Sequence, residues 1–206
     1  MTKKIRVETN VKDASLIETR RKQIIQSAIQ LFRKKGFHRT TTREIAASAG
    51  FSIGTLYEYI RSKEDVLYLV CDSIFNKVMD SIVHFSEGIH ALDTLKTAIS
   101  QYYLLIDEMR EEIEIMYQET KSLPKQKMQY IISKELEMTH VFEQLLKKCR
   151  DEGHIELSDD LMYVAAHQIV VQGQSWAFRK WALSNRFTIN QYIEYETTLV
   201  LNAITK

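Results

Sequence analysis

The chain has little that would interrupt a helix: one proline, Pro124, and six glycines among 206 residues. That scarcity leaves few forced helix stops and no place for a glycine-rich linker. No run approaches the roughly 18 apolar residues that a membrane span requires. The first ten residues are polar and basic with no apolar stretch behind them, so no signal peptide is expected and the location expected is cytoplasmic. The two cysteines, Cys71 and Cys149, lack any paired-thiol spacing and read as reduced, packed thiols. Missing too are a phosphate-binding glycine loop, a Gly-x-Ser-x-Gly turn and a histidine pair at metal spacing. His38, His84, His90, His140, His154 and His167 are scattered. No catalytic residue, metal ligand or cofactor is expected, and the protein reads as a non-enzyme.

What is present is an ordinary globular composition, 45% hydrophobic and 27% charged, with an uneven distribution of charge. The net charge of +1 conceals two opposed parts. Residues 1–64 hold 14 Lys/Arg against 6 Asp/Glu, a net of +8, and the remainder holds 14 against 21, a net of −7. A small basic module on an acidic body suggests a phosphate-bearing partner. A solvated charged face is the plainer alternative.

Helix-start signals are frequent. Ser15 with Glu18, Thr41 with Glu44, and Ser62 with Asp65 have capping-box spacing, and Gly36, Gly50 and Gly153 each follow a helical stretch. Between these signals apolar residues recur at three and four, which predicts nine helices: 16–35, 42–49, 53–59, 63–86, 92–110, 112–121, 125–152, 159–183 and 188–204. The first buries Ile24, Ile25, Ala28, Leu31 and Phe32. The fourth carries Leu67, Val70, Ile74, Val78 and Ile82 and is long enough to join two domains. The expected fold is all-α, with a basic, disordered arm over 1–15, a three-helix domain over 16–62 and a larger helical domain over 63–206. Lys3, Lys4, Arg6 and Lys12 make the arm either a minor-groove reader or a solvated tail.

One segment carries function. A helix-turn-helix needs a small residue where its helices cross, a residue able to turn left-handed four positions later, and apolar residues locking the second helix to the first. Ala46, Gly50, and Ile45, Ala49, Phe51 and Leu56 meet those needs. From Arg21 to Asp65 the chain resembles the TetR family of regulators: Leu31-Phe32 and Gly36-Phe37, then 40–46 (TTTREIA), 50–57 (GFSIGTLY), Tyr59 and 62–64 (SKE) are in register without a gap. Ile60, where the family usually has phenylalanine, departs from the pattern.

The resemblance implies that the second helix of the motif enters the major groove of double-stranded operator DNA. Ser52, Thr55, Tyr57 and Tyr59 offer hydroxyls to phosphates or base edges, and Gly54 lets backbone approach the duplex. Thr42 and Arg43 face the flanking backbone, and Lys63 is expected to reach a phosphate beside a helix N-terminus. For Tyr57 and Tyr59 a half-buried core ring is the alternative.

One such motif makes few contacts, so a homodimer reading two half-sites about 34 to 36 Å apart, or a multiple of that, is expected. Its surface is drawn from Leu161, Ala165, Ile169 and Gly173, with Val164, Gln168 and Gln172 on the same stripe, and from Tyr192, Leu199, Val200 and Ala203. The family usually pairs these helices with their copies. Gly173, costly inside a helix, marks either a close crossing or a ligand contact. Tyr102, Tyr103, Ile106, Met109, Met116, Tyr117, Met128 and Ile131, with Trp176 and Arg179, form either plain core or an apolar effector pocket of the kind the family implies. The stretch 175–188 is similar to relatives that respond to fatty acyl-CoA thioesters, and Arg179, Lys180 and Arg186 pair there with phosphates or else with surface carboxylates. An effector is expected to tilt the long fourth helix, releasing a repressor from a palindromic operator. The rival reading is a helical protein-interaction module with only nonspecific DNA affinity.

Overall fold

The computed structural model describes residues 4–83 and 90–205. Its helices are α1 (Ala14–Lys35), α2 (Thr42–Ser48), α3 (Ile53–Tyr59), α4 (Lys63–Val83), α5 (Ala91–Glu108), α6 (Arg110–Glu119), α7 (Lys125–Asp151), α8 (Asp159–Phe178), α9 (Lys180–Leu183) and α10 (Ile189–Ile204). The expected all-α architecture is present, with ten helices among the described residues instead of nine. The helix drafted over 159–183 breaks at Arg179, whose φ of −109° and ψ of 21° leave the helical region. There the hydrogen bonding tightens, with the Ala182 amide donating to the Arg179 carbonyl three residues back. The end of the fourth drafted helix, 84–86, His84, the side chain of Ile82 and Lys3 of the arm lie outside the described residues.

Local chemistry sets the helix ends. Thr41 and Glu44 form the anticipated reciprocal cap of α2. At the other end of α2 the Phe51 amide donates to the Ala46 carbonyl and the Gly50 amide to that of Ala47, with Gly50 at φ 74°. This is the Schellman closure, which needs a residue free of Cβ strain at Gly50. The cap of α1 differs from expectation. Asp13, not Ser15, accepts from the Ser15 and Leu16 amides, so α1 begins at Ala14.

The chain forms two compact units, Met1–Ile74 with Glu114–Ser133, and Phe75–Ile113 with Lys134–Lys206. The division falls inside α4, after Ile74, whereas the sequence pattern places it at the start of that helix, and the first unit takes in the 114–133 segment. In it α1, α2 and α3 enclose Ile24, Ala28, Phe32, Ile45, Ala46, Leu56 and Ile60, all buried. The reason that 114–133 joins them lies in two buried aspartates two turns apart on α4. Asp65 accepts from the Arg61 and Ser62 amides and forms an ion pair with Lys127. Asp72 accepts from the Tyr130 hydroxyl at 3.0 Å. Between them the Tyr68 ring lies 5.6 Å from that of Tyr130. Burial pushes the Asp65 carboxyl up, but the bonds from Lys127 and the two amides, with the charge of Lys127, outweigh it and hold the group below its ordinary value.

Residues 4–13 of the arm make specific contacts with the rest of the chain. Val7 is buried and Lys4 Nζ sits 2.6 Å from Asp72 Oδ2, so the segment lies along the first unit and packs there.

In the second unit α5 crosses α8 closely. The Tyr102 and Tyr103 hydroxyls donate to the Val170 and Ile169 carbonyls at 3.3 and 3.0 Å. A Cβ on Gly173 would stand 2.6 Å from the Tyr102 ring and 2.9 Å from that of Tyr103. Of the two readings of Gly173, the close crossing is the one observed. Tyr192 packs 5.0 Å from Trp176 and 5.9 Å from Tyr103, and Trp176 Nε1 donates to Asp107 at 2.7 Å.

Gly173→Ala is expected to destabilise the fold by about 1–3 kcal/mol, because both rings are buried and tethered and must shift together; urea unfolding measures it. Asp65→Asn is expected to lose about 1–3 kcal/mol at pH 7. Because the folded pKa of Asp65 lies below the unfolded value of about 3.9, its contribution is complete above that value and disappears as the pH falls through the folded pKa. The gap between wild type and Asp65→Asn should therefore close on acidification below about pH 4, read from urea midpoints across a pH series.

Candidate nucleic-acid interface

The second helix of the motif, α3, is built with one apolar edge and one polar edge. Leu56 is fully buried, and the Ser52 hydroxyl caps the helix by accepting from the Thr55 amide at 3.0 Å. Ser52 Oγ and Thr55 Oγ1 lie 3.0 Å apart, so the two hydroxyls form one polar group at the start of α3. Tyr57 points outward, 41% exposed, with its hydroxyl 3.1 Å from that of Thr42 on α2. Arg43, next to Thr42 in the chain, is exposed. Two exposed hydroxyl pairs, Thr42 with Tyr57 across α2 and α3 and Ser52 with Thr55 at the start of α3, together with the exposed Arg43, make up the polar rim of the motif. Gly54 lies on the same rim, and a Cβ there would meet only the Ser52 hydroxyl at 3.7 Å. Packing within the chain does not require a glycine at that position.

Two residues expected on this rim are not there. Tyr59 is 3% exposed, its ring stacked on Phe51 with centroids 6.5 Å apart, so it is the core ring of the alternative. Lys63 donates to the carbonyls of Phe37, His38 and Thr40 at 2.9, 3.2 and 3.0 Å and stands 4.3 Å from the Phe37 ring. Its three N–H donors tie down the α1–α2 loop. Glu44 also has a structural role: hydrogen bonds from Lys35 and Thr41 lower its carboxyl to about 2.

The residues expected to line an effector pocket divide between the units. Met116, Tyr117, Met128 and Ile131 belong to the first, and Tyr102, Tyr103, Ile106, Met109, Trp176 and Arg179 to the second. Tyr117 is 67% exposed. Arg179 is exposed, its guanidinium 5.5 Å from the Trp181 ring. Tyr102, Tyr103 and Trp176 are packed core with bonded polar ends, so for them the plain-core alternative describes the second unit.

The dimer candidates also separate. Ile169, Gly173 and Tyr192 are buried inside the second unit, because they form the α5–α8–α10 crossing. Leu161 and Leu199 are exposed, as are Val164, Gln168 and Ala203, while Ala165 and Val200 are half-buried. On α8, Tyr163, Val164, His167, Gln168, Val171 and Gln172 line a shallow depression of about 360 Å³. His167 Nε2 and Thr197 Oγ1 on these two helices are buried with no hydrogen-bond partner among the described residues.

Sequence reasoning missed Arg21, whose guanidinium bonds the Tyr59 carbonyl, and the Lys127 and Tyr130 partners of α4. No local pattern announces these, since each pair is separated by 38 to 62 residues. Burial raises the Cys71 and Cys149 thiols to about 12 and about 11, which suits packed, unreactive groups. Among the described residues no three His, Cys, Asp or Glu side chains gather as metal ligands, and no helix is long and apolar enough to cross a membrane.

Residues 24–68 match the profile described as "Bacterial regulatory proteins, tetR family", and 88–176 match "Tetracyclin repressor-like, C-terminal domain". The HTH-type transcriptional regulator HbdR of Aromatoleum sp. (strain CIB) is 31% identical over 189 residues, 91% of this chain and 82% of HbdR. A bacterial regulatory protein in the tetR family from Rhodococcus RHA1 shares the fold with a TM-score of 0.81 at 24% identity, covering 90% of this chain and 97% of that one. AibR, solved in complex with isovaleryl coenzyme A and operator DNA, does so with a TM-score of 0.74 at 19% identity, covering 87% and 97%. With the α2–α3 motif, its Schellman turn and its polar rim in place, these likenesses over nearly the whole chain establish that it belongs to the tetR family of bacterial regulatory proteins.

Proposed function

We propose that the protein is a repressor that binds a palindromic operator as a homodimer and is released by a small apolar effector, an acyl-CoA thioester. The observation that carries the DNA reading is the rim itself: Ser52, Thr55 and Tyr57 of the capped helix α3, whose other edge is locked in the core, with Thr42 and Arg43 at the start of α2. Hydroxyls and a guanidinium at that spacing suit phosphate oxygens and base edges. Gly54, which nothing in the chain requires, suits a close approach of α3 backbone to the duplex.

Dimerisation is supported by the outward apolar stripe of α8 and α10. Leu161, Val164, Val171, Tyr195 and Leu199 are each about half exposed or more, and a contiguous patch of this kind marks an interaction surface. A second copy of the same face would bring acceptors and donors to His167 and Thr197. The acyl-CoA effector is supported by the likeness to AibR, whose complex holds isovaleryl coenzyme A. Such an effector acts only if it binds the DNA-free form more tightly than the bound form.

Duplexes selected from a random pool, measured by fluorescence anisotropy, test the reading. Selective binding by a dimer is expected, with Tyr57→Ala weakening it by about 1–3 kcal/mol and Tyr59→Phe leaving it unchanged. Equal, weak binding to every duplex would reject an operator-reading role. Leu161→Glu with Leu199→Glu should yield monomers by sedimentation and lose selective binding. Adding short- and long-chain acyl-CoA thioesters to the complex, with free coenzyme A as control, should release DNA for at least one thioester; undiminished affinity throughout rejects that effector class.

A further inference from the structure

A helix of seven residues cannot bond its own last carbonyls, and α3 lacks the usual remedy of a left-handed residue after its end. Ile60 follows in extended conformation, with φ −141° and ψ 167°. The carbonyls are satisfied instead from the start of the chain. The Asn10 amide donates to the Glu58 carbonyl at 3.0 Å, and Thr9 Oγ1 donates to the same oxygen at 2.8 Å. The Tyr59 carbonyl accepts from Arg21 Nη2 at 3.0 Å and Nε at 3.3 Å, and the same Nη2 donates to the Val7 carbonyl at 2.8 Å. Arg21 thus clamps the N-terminal segment and the end of α3 together.

The segment is held along its length. Val7 is buried, Lys4 bonds Asp72 on α4, and Arg61 Nη2 donates to Asn10 Oδ1 at 2.6 Å. Its far end runs into Asp13, the cap of α1. Every one of these contacts lies within the first unit.

We propose that residues 4–12 are a strap that caps the recognition helix from outside and fixes its pose, making Thr9 and Arg21 positioning residues for DNA reading. This rests on the operator-binding reading above. The strap differs in kind from a basic arm, whose value lies in charge delivered to phosphates or the minor groove. Here the groups that act are an uncharged hydroxyl, a backbone amide and a guanidinium turned inward onto carbonyls, and the Lys4 ammonium is already on Asp72. Because Lys4 grips α4 and Thr9 grips α3, a displacement of α4 reaches the end of α3 through a short extended segment.

Full-length Thr9→Val, Thr9→Ser and Arg21→Met proteins test this in two ways. Hydrogen exchange of the Leu56 to Tyr59 amides, measured without DNA, should quicken about fivefold in Thr9→Val and Arg21→Met and be restored in Thr9→Ser. Operator affinity should fall by about the same factor, with an unchanged slope of log affinity against log salt, because no phosphate contact is lost. Unchanged exchange in both variants overturns the strap. A slope reduced by about one in Arg21→Met overturns it as well, since Arg21 would then be a phosphate contact. If wild type binds no duplex selectively, the operator reading fails by itself; the exchange rates still decide the strap, faster exchange supporting it and unchanged exchange overturning it.

Discussion

Helix formation is unfavourable until several turns reinforce one another, and seven residues give fewer than two. Most of the rim proposed to read DNA stands on such a helix, so its geometry depends on bonds made to its two ends from outside. At the front, Ser52 caps α3 and the Gly50–Phe51 turn fixes the angle at which the chain arrives from α2. At the back, Thr9, Asn10 and Arg21 take the carbonyls that a longer helix would use itself. Leu56 anchors the middle. With both ends pinned, the side chains of α3 point where the α1–α2 scaffold dictates.

The same reasoning extends to α4. An apolar contact between α4 and the 114–133 segment would tolerate sliding, because dispersion is non-directional. Asp65 and Asp72 are directional. Each is buried, each has named donors, and Lys127 and Tyr130 are spaced three apart so that both carboxylates are met from one face of α7. A buried ion pair of this sort adds little net stability once desolvation is counted. Its effect here is to fix one register of α4 against α7.

Much of the helix-turn-helix was legible because its determinants are local. The capping box, the Schellman glycine and the spacing of Ala46, Leu56 and Gly50 sit within twenty residues and act through backbone geometry that sequence encodes directly. Tyr59 was left open between two readings because a tyrosine near a helix end is equally compatible with water and with a neighbour; the Phe51 ring decides it, while the three loop carbonyls that hold Lys63 carry no local signal. The N-terminal segment looked unstructured because it has no periodicity, yet an extended strap needs none, only partners far along the chain. Gly173 was recognisable as a crossing point, but the stripe around it mixes two faces. Ile169 and Tyr192 belong to the inner face and Leu161 and Leu199 to the outer, a distinction that apolar character alone does not make.

The α5–α8 crossing divides α8 into two surfaces under different rules. On the inside, Gly173 and the two tethered tyrosines leave no tolerance for even a methyl group, so substitution there must be compensated across three helices at once. On the outside, Leu161, Val164 and Val171 are about half exposed. Change on that outer face leaves the fold largely indifferent and answers only to whatever covers it. In the proposed dimer, two diverging copies of such a gene in one cell would thus be able to lose affinity for each other by altering a few outward side chains, while the core of each stayed as it was.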